Sequence, residues 1–142
     1  MSNNLTVTAD LINNKVKFSG LSRDNHEIII DYVHPIGDGE GYTPLELFLV
    51  SLATCSGMTL ALLLRKMHKD VSELKVTASG ERRETYPTYF KSIQLSFELA
   101  SKDVQPEDIE RALKLSEESL CPVWNMVKNN TDISSEYKII YR

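Results

Sequence analysis

Thr43-Pro-Leu-Glu46-Leu-Phe-Leu-Val-Ser51-Leu-Ala-Thr-Cys55-Ser-Gly-Met-Thr-Leu60-Ala-Leu-Leu-Leu64 is the segment on which the reading of this chain turns. Thr43 can cap a helix, Pro44 suits its first turn, and Glu46 stands three residues after Thr43, the spacing of a capping box. The helix runs to about Met67 or His68, and Arg65, Lys66 and Lys69 put positive charge at the negative end of its dipole. Between Leu45 and Leu64 the only charge is Glu46, and apolar residues occur on every side, as in a helix buried all round. A membrane span is the competing reading, since the length suffices. Polar Ser51, Thr54, Ser56 and Thr59 punctuate the segment and strand-rich sequence flanks it, which favours a core helix. A small domain struggles to enclose such a helix alone, so sharing it across a dimer is expected.

Upstream, Leu5–Asp10, Lys15–Ser19 and Glu27–Val33 read as short strands, with a hairpin-type turn at Asn13-Asn14. The run Ile28-Ile29-Ile30 is what a strand covered on both faces carries. Pro35 to Gly41 is a loop. Downstream, strands are expected near Ser72–Arg83 and Phe90–Ala100, joined by a turn at Thr85-Tyr86-Pro87. In the second of them Ile93, Leu95, Phe97 and Leu99 alternate with polar residues, so they face one way. Pro106-Glu107-Asp108 opens a helix with Ile109, Ala112, Leu113 and Ser116 on one face. It cannot easily pass Cys121, because the residue before Pro122 is pushed out of the α region. Pro122 to about Lys128 is a further short helix, and Ser134–Tyr141 a closing strand. The order is βββ-α-ββ-α-α-β, a mixed α/β (α+β) fold with largely antiparallel sheets and one domain over residues 1–142.

The chain has 142 residues, 42% of them hydrophobic and 25% charged, which describes a globular protein rather than a disordered one. Net charge is −4 and the basic residues are scattered, so neither a nucleic-acid footprint nor a membrane-binding basic face is expected. The first ten residues lack a basic start and an apolar core, so no secretory signal is read there and a cytoplasmic location is expected. In that compartment two cysteines are expected as free thiols.

Those cysteines are the candidates for chemistry. Cys121 precedes Pro122 at the cap of a helix, where free N–H groups and the dipole favour a thiolate. Cys55 sits in Ala53-Thr54-Cys55-Ser56-Gly57, whose small residues admit a substrate or a closely packed neighbour equally well. Sequence spacing leaves open whether the two sulfurs meet or are two unrelated buried cysteines. His26, His34 and His68 stand apart in no ligand pattern, so no metal site is expected. Ser56 and Ser119 lack a nucleophile-elbow context. Gly37-Asp-Gly-Glu-Gly41 lacks a phosphate-binding ending and reads as a flexible loop. Trp124 and Met126 are expected to pack the core.

The stretch from Gly41 through Glu46 to Cys55-Ser56, the apolar helix, Gly80-Glu-Arg-Arg-Glu84 and Ser119-Leu-Cys121-Pro-Val together resemble the OsmC/Ohr family of osmotically inducible protein C-like proteins, and within it the YhfA-like branch. The similarity spans essentially the whole chain. It implies an intertwined homodimer, with two long central helices enclosed by antiparallel sheets and active sites at the subunit interface. It also implies a thiol-dependent peroxidase of oxidative-stress defence, with Cys55 as peroxidatic and Cys121 as resolving cysteine. In that scheme the Cys55 thiolate attacks the peroxide O–O bond, leaving a sulfenic acid and an alcohol or water. Cys121 then condenses with it to a disulfide that an external dithiol reduces. No metal, flavin or other cofactor is required.

Peroxidases of the family also hold an Arg and a Glu near the sulfur. The usual acidic position, ten residues before the cysteine, is Leu45 here, and Glu46 matches a neighbouring acidic position of some members. Nine residues at about 100° each turn Glu46 half a revolution from Cys55, which favours its capping role. Arg23, in the turn Leu21–Asn25, is a loose match to the family arginine. Arg82 or Arg83 is the substitute, although a solvated strand-end pair is their ordinary use. Without a cation nearby, a buried Cys55 would stay protonated and inert. The alternatives are a non-catalytic dimer that binds a small apolar molecule, and a thiol redox sensor.

Overall fold

In the computed structural model, which describes residues 3–142, the elements are β1 (Thr8–Leu11), β2 (Phe18–Leu21), β3 (Ile28–Ile30), α1 (Pro44–Lys66), β4 (Glu73–Arg82), β5 (Phe90–Ser101), α2 (Pro106–Leu115), a π-helical turn (Ser116–Leu120), α3 (Pro122–Val127) and β6 (Asp132–Tyr141). The expected order holds, with the π turn inserted between the last two α-helices. Backbone contacts divide the chain within α1 into two compact units, one ending at Phe48 and the other spanning Leu49–Arg142.

In the first unit β1, β2 and β3 pair antiparallel in chain order. The turn expected at Asn13-Asn14 is a longer loop, closed by the Ile12 N–H donating to Lys17 O at 2.9 Å. Asn13 works through its side chain: Oδ1 accepts from the N–H groups of Lys15 and Lys17 at 3.0 and 3.1 Å. β3 lies at the edge of its sheet and Ile28 is 51% exposed, so the triple isoleucine is not covered on both faces. Past β3 the chain coils around Asp31, which is buried and accepts from the N–H groups of Tyr32, Asp38 and Glu40 at 2.8, 3.2 and 3.1 Å. Gly37 is required there, because a Cβ would stand 2.3 Å from Tyr32 O and 2.4 Å from Asp31 Oδ1. The stretch read as a flexible loop is thus one fastened to a buried carboxylate.

Both ends of α1 are closed by hydrogen bonds. At its start the Thr43 N–H donates to Glu46 Oε1 at 2.8 Å and the Glu46 N–H to Thr43 Oγ1 at 3.2 Å, the reciprocal capping box. At its end His68, with φ of 62°, takes the left-handed position of a Schellman motif. There the Lys69 N–H donates to Leu64 O and the His68 N–H to Arg65 O, both at 3.0 Å.

The expectation that α1 is buried all round is corrected. Leu52, Ala53, Ser56, Gly57, Leu60 and Leu64 form its buried stripe, whereas Met58 and Leu62 are 67% and 61% exposed. Within the second unit its buried stripe meets β4 at Gly57 and the crossover at Ser56, which leaves its other side open. By length and composition α1 is apolar enough to cross a membrane, with mean hydropathy 2.1. Its buried stripe nevertheless packs on β4 as a core helix does.

In the second unit β5 is the central strand, antiparallel to β4 and parallel to β6. Ile93, Leu95, Phe97 and Leu99 are all at most 1% exposed, as the alternation predicts. A parallel neighbour needs a long crossover, and α2, the π turn and α3 supply it. Ile109, Ala112 and Leu113 of α2 and Trp124 of α3 are buried. Met126 is 72% exposed and does not join the core, contrary to expectation.

Gly57 sets the approach of α1 to β4: a Cβ there would lie 3.1 Å from Val76 Cγ2 and 3.9 Å from Leu74 Cδ2. Gly57→Val should therefore force the helix off the sheet and cost about 1–3 kcal/mol, the usual range for overpacking. Urea unfolding reads this as a lowered midpoint; an unchanged midpoint would mean that helix and strand do not meet closely there.

Candidate functional site

Cys55 lies at the edge of the buried stripe of α1 and is partly accessible, whereas Cys121 is wholly buried. The structure brings these two thiols near one another within the second unit: Cys121 Sγ lies 3.7 Å from Oγ of Ser56, the residue after Cys55, and is close enough to raise the Cys55 pKa. Packing of α1 on β4 carries Cys55 inward. The crossover from β5 returns Cys121 to meet it.

Local sequence explains how Cys121 is held. It is the N-cap of α3, with Pro122 at the first helical position. The preceding π turn closes where the Cys121 N–H donates to Ser116 O at 3.1 Å. Asn125 Nδ2 donates to Ser116 O at 3.2 Å and to Cys121 O at 2.8 Å, tying the π turn to α3. Lys128 Nζ reaches Glu117 O at 3.0 Å and Glu118 O at 3.4 Å, using carbonyls that the helix end leaves open.

The helix N-terminus acts on the other sulfur. Pro122 has no N–H, so Val123 carries the first amide of α3, and that amide lies close enough to Cys55 to favour its thiolate. Burial pushes the Cys55 thiol above its ordinary value, the Val123 N–H opposes this, and the Cys121 thiol adds to the rise. Within residues 49–142 no cationic side chain acts on it.

The other candidates fall elsewhere. Glu46 is engaged in its capping box. Arg23 sits exposed in the turn between β2 and β3 with φ of 56°, and among the described residues its side chain makes no hydrogen bond or ion pair. Arg82 Nε donates to Thr88 O at 2.8 Å, while Arg83 donates to Pro87 O at 3.2 Å and stacks on Tyr89 at 4.8 Å. Both therefore clamp the β4–β5 turn.

The carboxylates of Asp31, Asp38 and Glu40 gather within 4.8 Å in the first unit. Lys15 pairs with Asp38 and Lys17 with Glu40, and the oxygens of Asp31 accept backbone N–H groups. The cluster is thereby accounted for as a loop staple. The same unit carries an open apolar groove of about 710 Å³ lined by Val16, Phe18, Ile30, Tyr32, Ile36 and Leu47.

Three participants escaped the sequence reading: the Val123 amide, Asn125, and Ser56, whose Oγ lies 3.7 Å from Cys121 Sγ. The Cys-Pro-Val order carries the signal for the first, since Pro122 leaves Val123 with the first amide of the helix. Ser56 was set aside as a nucleophile, yet it is the neighbour of Cys55 on the same helix.

The family model for OsmC-like proteins matches residues 37–136. Protein YhfA of Escherichia coli is 31% identical over 123 residues, covering 87% of this chain and 90% of that protein. A hypothetical protein from Aquifex aeolicus of known crystal structure superposes with a TM-score of 0.87 at 28% identity, covering 99% of both chains. The organic hydroperoxide resistance protein OhrB of Bacillus subtilis superposes at 0.63 and 23% identity, over 95% of this chain and 98% of that one, a likeness of fold. With a matched segment that runs from the loop before α1 into β6 and includes both cysteines, this chain belongs to the OsmC-like protein family.

Proposed function

We propose that this protein is a cytoplasmic, cysteine-dependent peroxidase that reduces organic hydroperoxides or hydrogen peroxide, residues 1–142 working as one OsmC-like domain within a homodimer. The observation that carries the reading is that Cys121, from a separate element, packs with its sulfur 3.7 Å from Oγ of Ser56, next to Cys55, and close enough to Cys55 to shift its pKa. The accessible sulfur, Cys55, attacks the peroxide and becomes a sulfenic acid; Cys121 displaces its hydroxyl to form the disulfide, which an external dithiol reduces. OhrB, similar in fold, is named for organic hydroperoxide resistance, which is consistent with such a substrate.

The homodimer follows from exposed apolar surface. Val50, Met58 and Leu62 line the open side of α1, and Leu11, Phe18, Leu21 and Ile28 stand out from β1–β3. A second copy is proposed to cover them, with the active sites at the interface. The thiolate needs a cation that residues 49–142 do not supply, and Arg23, unpartnered among the described residues, is proposed for that role in the assembled dimer. The apolar groove of the first unit favours a second reading, a non-catalytic dimer that binds a small apolar molecule.

Stopped-flow mixing with cumene hydroperoxide and with hydrogen peroxide, on wild type, Cys55→Ser and Cys121→Ser, separates the readings. Fast thiol loss that requires residue 55, and an intramolecular disulfide that requires both residues, is the expected result. Equal, slow oxidation of both sulfurs would leave the binding reading.

The pH dependence tests the cation. Only the thiolate attacks, so below its midpoint the rate climbs about tenfold per pH unit. In Arg23→Ala, burial and Cys121 are left to set the midpoint, so the rate should keep rising past the ordinary cysteine value of 9.0. Identical profiles for wild type and Arg23→Ala would remove Arg23 from the mechanism.

A further inference from the structure

Among the hydroxyls near Cys55 on α1, that of Ser56 differs from those of Thr54 and Thr59. Thr54 Oγ1 donates to Val50 O at 2.8 Å, and Thr59 Oγ1 donates to Cys55 O at 2.9 Å. Each satisfies itself on the carbonyl one turn back, the usual habit of Ser and Thr inside helices. Ser56 does not. Its side chain is wholly buried, and among the described residues its partner is Cys121 Sγ, 3.7 Å away on the crossover.

The direction of that bond depends on the state of the sulfur. A protonated Cys121 can donate to the hydroxyl, whereas an ionised sulfur can only accept. At the moment when Cys121 attacks, the Ser56 hydroxyl is therefore the donor. Cys55 and Ser56 are consecutive on α1, about 100° apart, so the helix grips Cys121 at two neighbouring points. One point is the sulfur it must bond; the other is a hydroxyl that aims it.

We propose that Ser56 is the positioning residue for disulfide formation, its hydroxyl donating to Cys121 Sγ and holding that sulfur in line with the Cys55 sulfenic acid. The inference rests on the peroxide-reducing reading of the site. In the first step the hydroperoxide takes two electrons from Cys55, and its O–O bond breaks to give the sulfenic acid and an alcohol. In the second, an electron pair of the Cys121 sulfur attacks the Cys55 sulfur. The S–S bond forms, the S–O bond breaks, and the hydroxide that leaves takes a proton to become water. Ser56 acts in the second step only.

The test uses full-length wild type, Ser56→Ala and Ser56→Thr, each checked for a native circular dichroism spectrum. One equivalent of cumene hydroperoxide is added, and sulfenic acid (trapped with dimedone) and disulfide are quantified by mass spectrometry over time and pH. In Ser56→Ala, sulfenic acid should appear at about the wild-type rate and accumulate. Its conversion to disulfide should slow about tenfold at neutral pH, with the pH profile of that step displaced toward alkali. Ser56→Thr, which keeps the hydroxyl, should restore most of the loss. Equal conversion rates and profiles in wild type and Ser56→Ala would overturn the proposal. A parallel arm with the thiol oxidant diamide forms the same disulfide without peroxide. If wild type gives no sulfenic acid, the peroxidase reading fails, and the diamide arm still decides Ser56: slowed closure in Ser56→Ala with rescue by Thr supports it, and unchanged closure overturns it.

Discussion

The docking of α1 against β4 is the constraint on which the second unit depends. Small residues permit it: at Gly57 there is no room for an ordinary side chain beside Val76. With Leu52, Ala53, Ser56, Gly57, Leu60 and Leu64 buried, the rotation of the helix is the one that turns Gly57, where the close approach is possible, toward Val76. That rotation leaves Cys55 at the rim of the stripe and Ser56 within it. The crossover that brings β6 parallel to β5 then lays the start of α3 over the same spot. The two cysteines thus come near one another where two packing demands meet, with no element devoted to them alone.

The electrostatics of that spot are divided. Taking Cys55 out of water disfavours its charge, and so does a second thiol beside it. The Val123 amide, set free because Pro122 precedes it, works the other way. The rise prevails, so within its own unit Cys55 favours the thiol form.

Much of this was readable in the residues. The capping box of Thr43 and Glu46 marks the start of α1, and the alternation through Ile93, Leu95, Phe97 and Leu99 marks the central strand, because both are local patterns with local causes. Pro122 rightly ends the preceding helix and caps α3 with Cys121. What could not be read depends on partners distant in the chain. Nothing in Asp132–Tyr141 says that it pairs parallel to β5, and nothing in Ser116–Leu120 announces a π turn. The one-sided burial of α1 defeated the reading of all-round burial because apolar residues on its buried and exposed sides look alike in sequence. Asp31 looked like one more loop acid, and its grip on three backbone N–H groups appears only once the loop has closed around it. For the cysteines, spacing was silent and family resemblance supplied the pairing.

The central claim is that folding itself presents Cys55 to Cys121. Equilibration in glutathione redox buffers, in native solution and again in concentrated urea, measures this directly. If the fold holds the sulfurs together, the native protein forms the intramolecular disulfide at least about tenfold more favourably than the unfolded chain, with little glutathione attached. Equal equilibria in the two solvents, or mixed disulfides with glutathione as the main native product, would contradict the account.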